Sequence, residues 1–213
     1  MPGKNNYDSI AFCYDRLSRL VFGNSIRQSQ ICLLPFISPE NRILIMGGGT
    51  GWILEEISKL YASGLDIVYI EASAKMLEFA KTKDIAENKV EFLNSYIEAY
   101  HTTSTFDIII TAFLFDNFTE KIATENFKKL DTLLNKKGKW LFADFHITNA
   151  SNWHQRIVLK LMYYFFKRVS NIEADQLIDM GFVFLKYHYK EVFSQYYYDR
   201  FIKAVCWVKE MNY

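Results

Sequence analysis

The run Arg42-Ile43-Leu44-Ile45-Met46-Gly47-Gly48-Gly49-Thr50-Gly51-Trp52-Ile53-Leu54 is compatible with few folds. Its apolar first half does not alternate, as expected of a strand buried on both faces of a parallel sheet. The glycines allow a sharp turn and a close approach of ligand to backbone. The pattern that follows is helical, with Trp52, Ile53, Ile57 and Leu60 available for one face. A helix begins with free N–H groups and a positive dipole end. Strand, glycine turn and helix together read as a nucleotide-type binding site.

The spacing narrows the ligand. A phosphate-binding P-loop needs a Lys after its last glycine, and Trp52 follows Gly51. The dinucleotide pattern Gly-x-Gly-x-x-Gly would place its third glycine at Trp52 or Leu54, where a bulky residue opposes close helix–strand packing. A second apolar run, Ile67-Val68-Tyr69-Ile70, ends in Glu71, 20 residues on from Gly51. An acidic residue at that distance stands at the tip of the second strand and can accept hydrogen bonds from ribose hydroxyls.

These residues resemble the class I S-adenosylmethionine-dependent methyltransferases. Gly47, Gly48, Gly49, Thr50 and Gly51 are similar to their first motif, and Ile70-Glu71-Ala72-Ser73 with Met76 to their second. Tyr7-Asp8-Ser9-Ile10-Ala11 and Tyr14-Asp15 resemble the N-terminal helix of the branch containing the ubiquinone and menaquinone biosynthesis enzymes. The sequence departs from the pattern at Ile45, where a carboxylate usually shapes the loop and places the methionine amino group. The resemblance implies an α/β, doubly wound, Rossmann-like sheet of seven strands in the order 3-2-1-4-5-7-6, with the last strand antiparallel. It implies one methyltransferase domain over 1–213, with an N-terminal helical cap at 1–38 and an insertion helix at 150–170 over the substrate side.

Along the chain, residues 7–36 read as two helices broken near Gly23-Asn24. Strand 42–46, helix 51–62, strand 65–70, helix 73–82 and strand 89–93 follow. Asn94 and Ser95 close the third strand. The resemblance gives Asn94 the adenine edge, while Asn is equally a turn residue. Phe106 to Ala112 is the fourth strand. Ligands sit at the carboxyl ends of such strands, so Ala112 and Phe113 fall beside the cofactor's methionine part. Asp116 faces substrate or caps helix 119–135. Lys136-Lys137-Gly138 reads as a turn before the fifth strand, 139–146, in which alternation puts Asp144 and His146 on one face. Facing the cleft, these two would form an acid–base pair, since His titrates near neutral pH; on the surface they would be structural. Helix 151–169 carries Trp153 among aromatic and basic residues; read plainly it covers the core, and it also suits lining an apolar substrate pocket, a membrane surface or a partner subunit, so a homodimer stays open. Helix 172–180, a turn at Gly181-Phe182 and strands over 184–189 and 200–208 complete the chain.

The implied reaction is methyl transfer from S-adenosylmethionine to a small aromatic or lipid-like acceptor by in-line displacement. Alignment alone supplies roughly 7–11 kcal/mol of such a barrier, which explains why no protein nucleophile stands out. Tyr7, Tyr14, Asp116 and Trp153 are the acceptor-side candidates. A binding protein that kept the fold and a nicotinamide-dependent oxidoreductase are the alternatives.

The net charge of +1 excludes a general attraction to nucleic acid. Cys13, Cys32 and Cys206 are scattered without zinc spacing and read as reduced thiols of a cytoplasmic protein, with no metal site. The N-terminus has no secretory pattern, and no stretch reaches the roughly 20 apolar residues of a membrane-spanning helix.

Overall fold

The computed structural model describes residues 19–146 and 177–210. Among these, seven strands form one sheet: β1 (Arg42–Met46), β2 (Ser63–Glu71), β3 (Glu87–Asn94), β4 (Phe106–Ala112), β5 (Leu134–Phe145), β6 (Tyr189–Tyr197) and β7 (Ile202–Lys209). The spatial order is β3-β2-β1-β4-β5-β7-β6, as the sequence implied. Strands β1 to β5 pair in parallel, and β7 runs antiparallel to β5 and β6. Strand order reverses between β1 and β4, which opens a crevice at their carboxyl ends.

Among the described residues, residues 19–22 are helical, three short 3-10 turns occur, and five further α-helices follow: α1 (Ser25–Ile31), α2 (Trp52–Leu60), α3 (Ala74–Lys81), α4 (Glu120–Leu133) and α5 (Met180–Lys186). The expected break before α1 occurs as a turn at Gly23 and Asn24. Because β1 is covered on both sides, its residues divide between two cores. Ile43 and Ile45 pack with Ile53 and Ile57 of α2 and Leu77 of α3. Leu44 and Met46 join Phe127 and Leu130 of α4 and Phe184 of α5. On that second face Trp140 stacks on Phe127 at 4.9 Å, and its indole N–H donates to Thr111 Oγ1 at 2.9 Å.

Four local expectations are corrected. Residues 184–189 are not the sixth strand: Asp179 caps α5 by accepting from the Phe182 amide, and Met180, Val183 and Phe184 bury at helical spacing. Strand β6 therefore starts at Tyr189. Residues 177–179 precede the helix rather than ending one. Strand β5 starts at Leu134 and runs through Lys136-Lys137-Gly138, with a register shift between the pairs at Phe106 and Ile108 absorbing the extra length. Leu54 rather than Leu60 completes the inner face of α2, and Leu60 is exposed.

Candidate active site

The glycine turn is held from β2. Gly47 and Gly48 both donate to the Ile70 carbonyl, at 2.9 and 3.3 Å. A Cβ on Gly48 would lie 2.2 Å from the Tyr69 ring, so that ring fills the space beneath the turn. The Tyr69 hydroxyl donates to the Gly49 carbonyl at 3.0 Å. Ile45 is buried and is the cross-strand partner of Tyr69. The polar hold on the loop thus comes from the neighbouring strand rather than from position 45. A Tyr within the apolar run before Glu71 was the signal that sequence reasoning passed over.

Glu71 is buried and bridges two backbone segments. Its Oε2 accepts the Gly49 amide at 2.8 Å, and its Oε1 accepts the Ser73 amide at 2.8 Å. A carboxylate offers about four lone-pair positions, so two amides do not exhaust it. Gly51 heads α2 with φ +81°, and a Cβ there would lie 2.5 Å from the Ala80 Cα. By contrast, no atom of the described residues comes within 4 Å of a Cβ built on Gly49, so among them that face of the turn is open. An open glycine beside a buried carboxylate offers close approach to the backbone and hydrogen-bond acceptors, both of which a ribose with an attached chain can use. The residues present fit an adenosyl ligand.

Around this centre, Thr50 is buried and Ala72 half-buried. Met76 packs in the core while its amide donates to Ser73 Oγ at 3.2 Å. Asn94 donates its carboxamide N–H groups to the carbonyls of Glu71 and Ala72, at 2.9 and 3.0 Å. Its oxygen is what remains for a ligand, an acceptor suited to an exocyclic amine. Ser95 donates its amide to the Glu71 carbonyl at 3.2 Å.

At the end of β4, Ala112 is half-buried and the Phe113 amide donates to the Ala143 carbonyl at 2.8 Å. Phe113 has φ +51°, a left-handed backbone that a non-glycine residue adopts only where surrounding contacts impose it. Leu114, not anticipated from sequence, leans over Gly47: a Cβ there would meet its Cδ1 at 2.9 Å.

Asp116 lies in a 3-10 turn, Phe115–Asn117, and does not cap α4, whose N-cap is Thr119. Both Asp116 and Asp144 are buried. Burial pushes the Asp116 carboxyl up to about 7. Burial, then the Asp116 charge, raises Asp144 well above the carboxylate range, against the pull of the Phe145, Phe115 and Asp116 amides. The structure thus brings Asp144 to Asp116, and His146 to other neighbours. His146 lies against Tyr196, with ring centroids 5.5 Å apart. Burial, then Lys203, lowers its pKa, with Asp179 opposing and Arg200 assisting. Tyr7, Tyr14, Trp153 and helix 151–169 lie outside the described residues. Among the described residues no group of His, Cys, Asp or Glu could hold a metal ion, and no helix is long and apolar enough to cross a membrane.

Comparison with known proteins agrees with this fold. The family described as "Methyltransferase domain" matches residues 43–138, which run from β1 into β5. An uncharacterized methyltransferase of Bacillus licheniformis is 24% identical over 159 residues, covering 73% of each chain. A ubiquinone/menaquinone biosynthesis C-methyltransferase of Wigglesworthia glossinidia brevipalpis is 27% identical over 146 residues, 65% of this chain and 57% of that one. The crystal structure of magnesium protoporphyrin IX methyltransferase from Synechocystis, with bound SAH, superposes with a TM-score of 0.67 over 96% of both chains, at 14% identity.

Proposed function

We propose that this class I S-adenosylmethionine-dependent methyltransferase delivers its methyl group to a small aromatic or lipid-like acceptor. The observation that carries the cofactor site is the Glu71 bridge between Gly49 and Ser73 beside an open glycine. Bound there, S-adenosylmethionine supplies an electrophilic methyl carbon on a sulfonium.

In this reading Glu71 accepts from the ribose hydroxyls. Asn94 and Ser95 meet the adenine edge, with Ala72 and Met76 beside them. Gly47, Gly48, Gly49, Thr50 and Gly51 pass close to the methionine part, and Ala112 and Phe113 flank it. The protein's own work is then to orient the acceptor, exclude water and accept a proton. Asp144 and His146 are the proton-handling candidates. His146 is held uncharged at neutral pH and is half-buried, so it can exchange a proton with solvent. Asp116, Tyr7, Tyr14 and Trp153 are assigned to the acceptor side. The acceptor class is supported by the names of the two relatives that act on a quinone pathway and on a porphyrin. Cys32 and Cys206 as free thiols fit a cytoplasmic location, and the protein works as a monomer or a homodimer.

Calorimetric titration with S-adenosylmethionine and S-adenosylhomocysteine, with NADH as the control, tests the cofactor. Saturable binding of the first two alone is expected. NADH binding, or binding of none, would refute the assignment. Tritium transfer from methyl-labelled cofactor to quinol, phenol and porphyrin acceptors tests the substrate class.

A further inference from the structure

Asp116 and Asp144 are two buried carboxyls, in the turn after β4 and near the carboxyl end of β5, that no cofactor contact requires. Asp144 follows Trp140 and Phe142 on one face of β5, and the 3-10 turn bearing Asp116 packs there through Phe115, whose ring centroid is 6.2 Å from that of Phe142. The two side chains are 9% and 4% exposed. Asp116 Oδ1 accepts from Asn117 Nδ2 at 2.9 Å. Asp144 Oδ1 accepts the Phe145 amide at 2.8 Å, while Oδ2 is buried with no hydrogen-bond partner among the described residues. Among the described residues no cationic side chain acts on either carboxyl; the charge that acts on Asp144 is Asp116 itself. A buried polar atom without a partner costs free energy unless a ligand completes it.

Building on the methyltransferase reading, we propose that Asp116 and Asp144 form the acceptor subsite for a protonated amine. An anion would be repelled. Among the described residues a metal ion would lack further ligands, since no group of three or more His, Cys, Asp or Glu there could hold one. An ammonium brings both the missing positive charge and several N–H donors, one of which satisfies Asp144 Oδ2. The pair then prepares the acceptor. One ammonium N–H bond breaks, its electron pair stays on nitrogen, and an O–H bond forms on a carboxylate oxygen. The neutral amine holds the lone pair that methylation consumes. A carboxyl near neutral pKa is matched to this exchange.

The test titrates benzylamine, tyramine and spermidine, with benzyl alcohol and 4-ethylphenol as uncharged counterparts, into protein saturated with S-adenosylhomocysteine. Calorimetry is run at pH 7 in two buffers of unlike ionisation enthalpy. At least one amine is expected to bind tenfold or more tightly than its uncharged counterpart, with net proton release. Asp116→Asn and Asp144→Asn should each cut that affinity at least tenfold while S-adenosylhomocysteine still binds, which also reports folding. Equal affinity for charged and uncharged probes, no binding of any amine, or amine binding without proton release overturns the proposal. Failure of wild-type protein to bind S-adenosylhomocysteine would instead defeat the methyltransferase reading beneath it.

Discussion

The Tyr69 hydroxyl donates to the Gly49 carbonyl at 3.0 Å, and the ring beneath it occupies the space that a side chain on residue 48 would need. One residue of β2 therefore sets both the height and the shape of the turn after β1. Tyr69→Phe keeps the ring and removes the bond. A net hydrogen bond is worth about 1 kcal/mol, so the melting temperature should fall by about 2–4 °C, and affinity for S-adenosylhomocysteine should fall by up to about fivefold as the turn loses its hold. Calorimetry decides it, and an unaltered affinity would reduce Tyr69 to packing.

Glu71→Ala removes the acceptor of two amides and leaves both without their partner. The expected loss in S-adenosylhomocysteine affinity is at least tenfold. Glu71→Gln should not rescue it, because the amide nitrogen would face a backbone N–H. Full affinity in the Gln variant would show that the two-amide bridge is dispensable.

Gly51→Ala meets two obstacles, a φ of +81° and the Ala80 backbone 2.5 Å from the new methyl. Backbone cannot rotate away as a side chain can. Overpacking of this kind costs about 1–3 kcal/mol, and for a chain of this length each kcal/mol lowers the melting temperature by about 2–4 °C. A thermal scan showing no decrease would contradict the packing of α2 on α3 described above.

Asp116 and Asp144 should make stability depend on pH. Their folded-state pKa values lie above the unfolded carboxylate value, so between roughly pH 4 and 7 the folded state binds more protons than the unfolded one. Stability from these groups is present at the acid end and is lost as pH rises through the Asp116 value of about 7. Relative to wild type, Asp116→Asn should therefore become progressively more stable from pH 5 to pH 7.5. A constant difference in melting temperature across that range would contradict the shifted pKa.

His146 has its pKa lowered below the usual 6.5, so its neutral form persists on mild acidification. If it accepts the acceptor's proton, turnover should hold down to pH 6.5 and decline below it, and His146→Ala should lose that acid limb. A pH–rate profile of unchanged shape in the variant would remove His146 from the chemistry.

The site near β1 and β2 was legible because local rules govern it. A buried strand, glycines and an acidic residue one strand away are readable from spacing, and β1 and β4 fall where the apolar runs do. Three features were not legible, each because tertiary contact decides it. Tyr69 looked like any apolar strand residue until its hydroxyl met Gly49. Alternation put Asp144 and His146 on one face, but the partner of Asp144 comes from the turn after β4, 28 positions earlier. The stretch Phe184 to Tyr189 is aromatic enough for a strand, yet the Asp179 cap and burial of Met180, Val183 and Phe184 make most of it helix.

The place of β7 has a consequence for how the molecule is made. β7 lies between β5 and β6, and its residues come after both in the chain. During synthesis the edge of β5, with Leu141, Ala143 and Phe145, waits unpaired until residue 209 has been added. Such an apolar edge is a template for pairing with other chains. The sheet therefore closes only after nearly all of this sequence has been translated, and a chain cut short before Ile202 ends as a sticky half-sheet rather than a smaller enzyme.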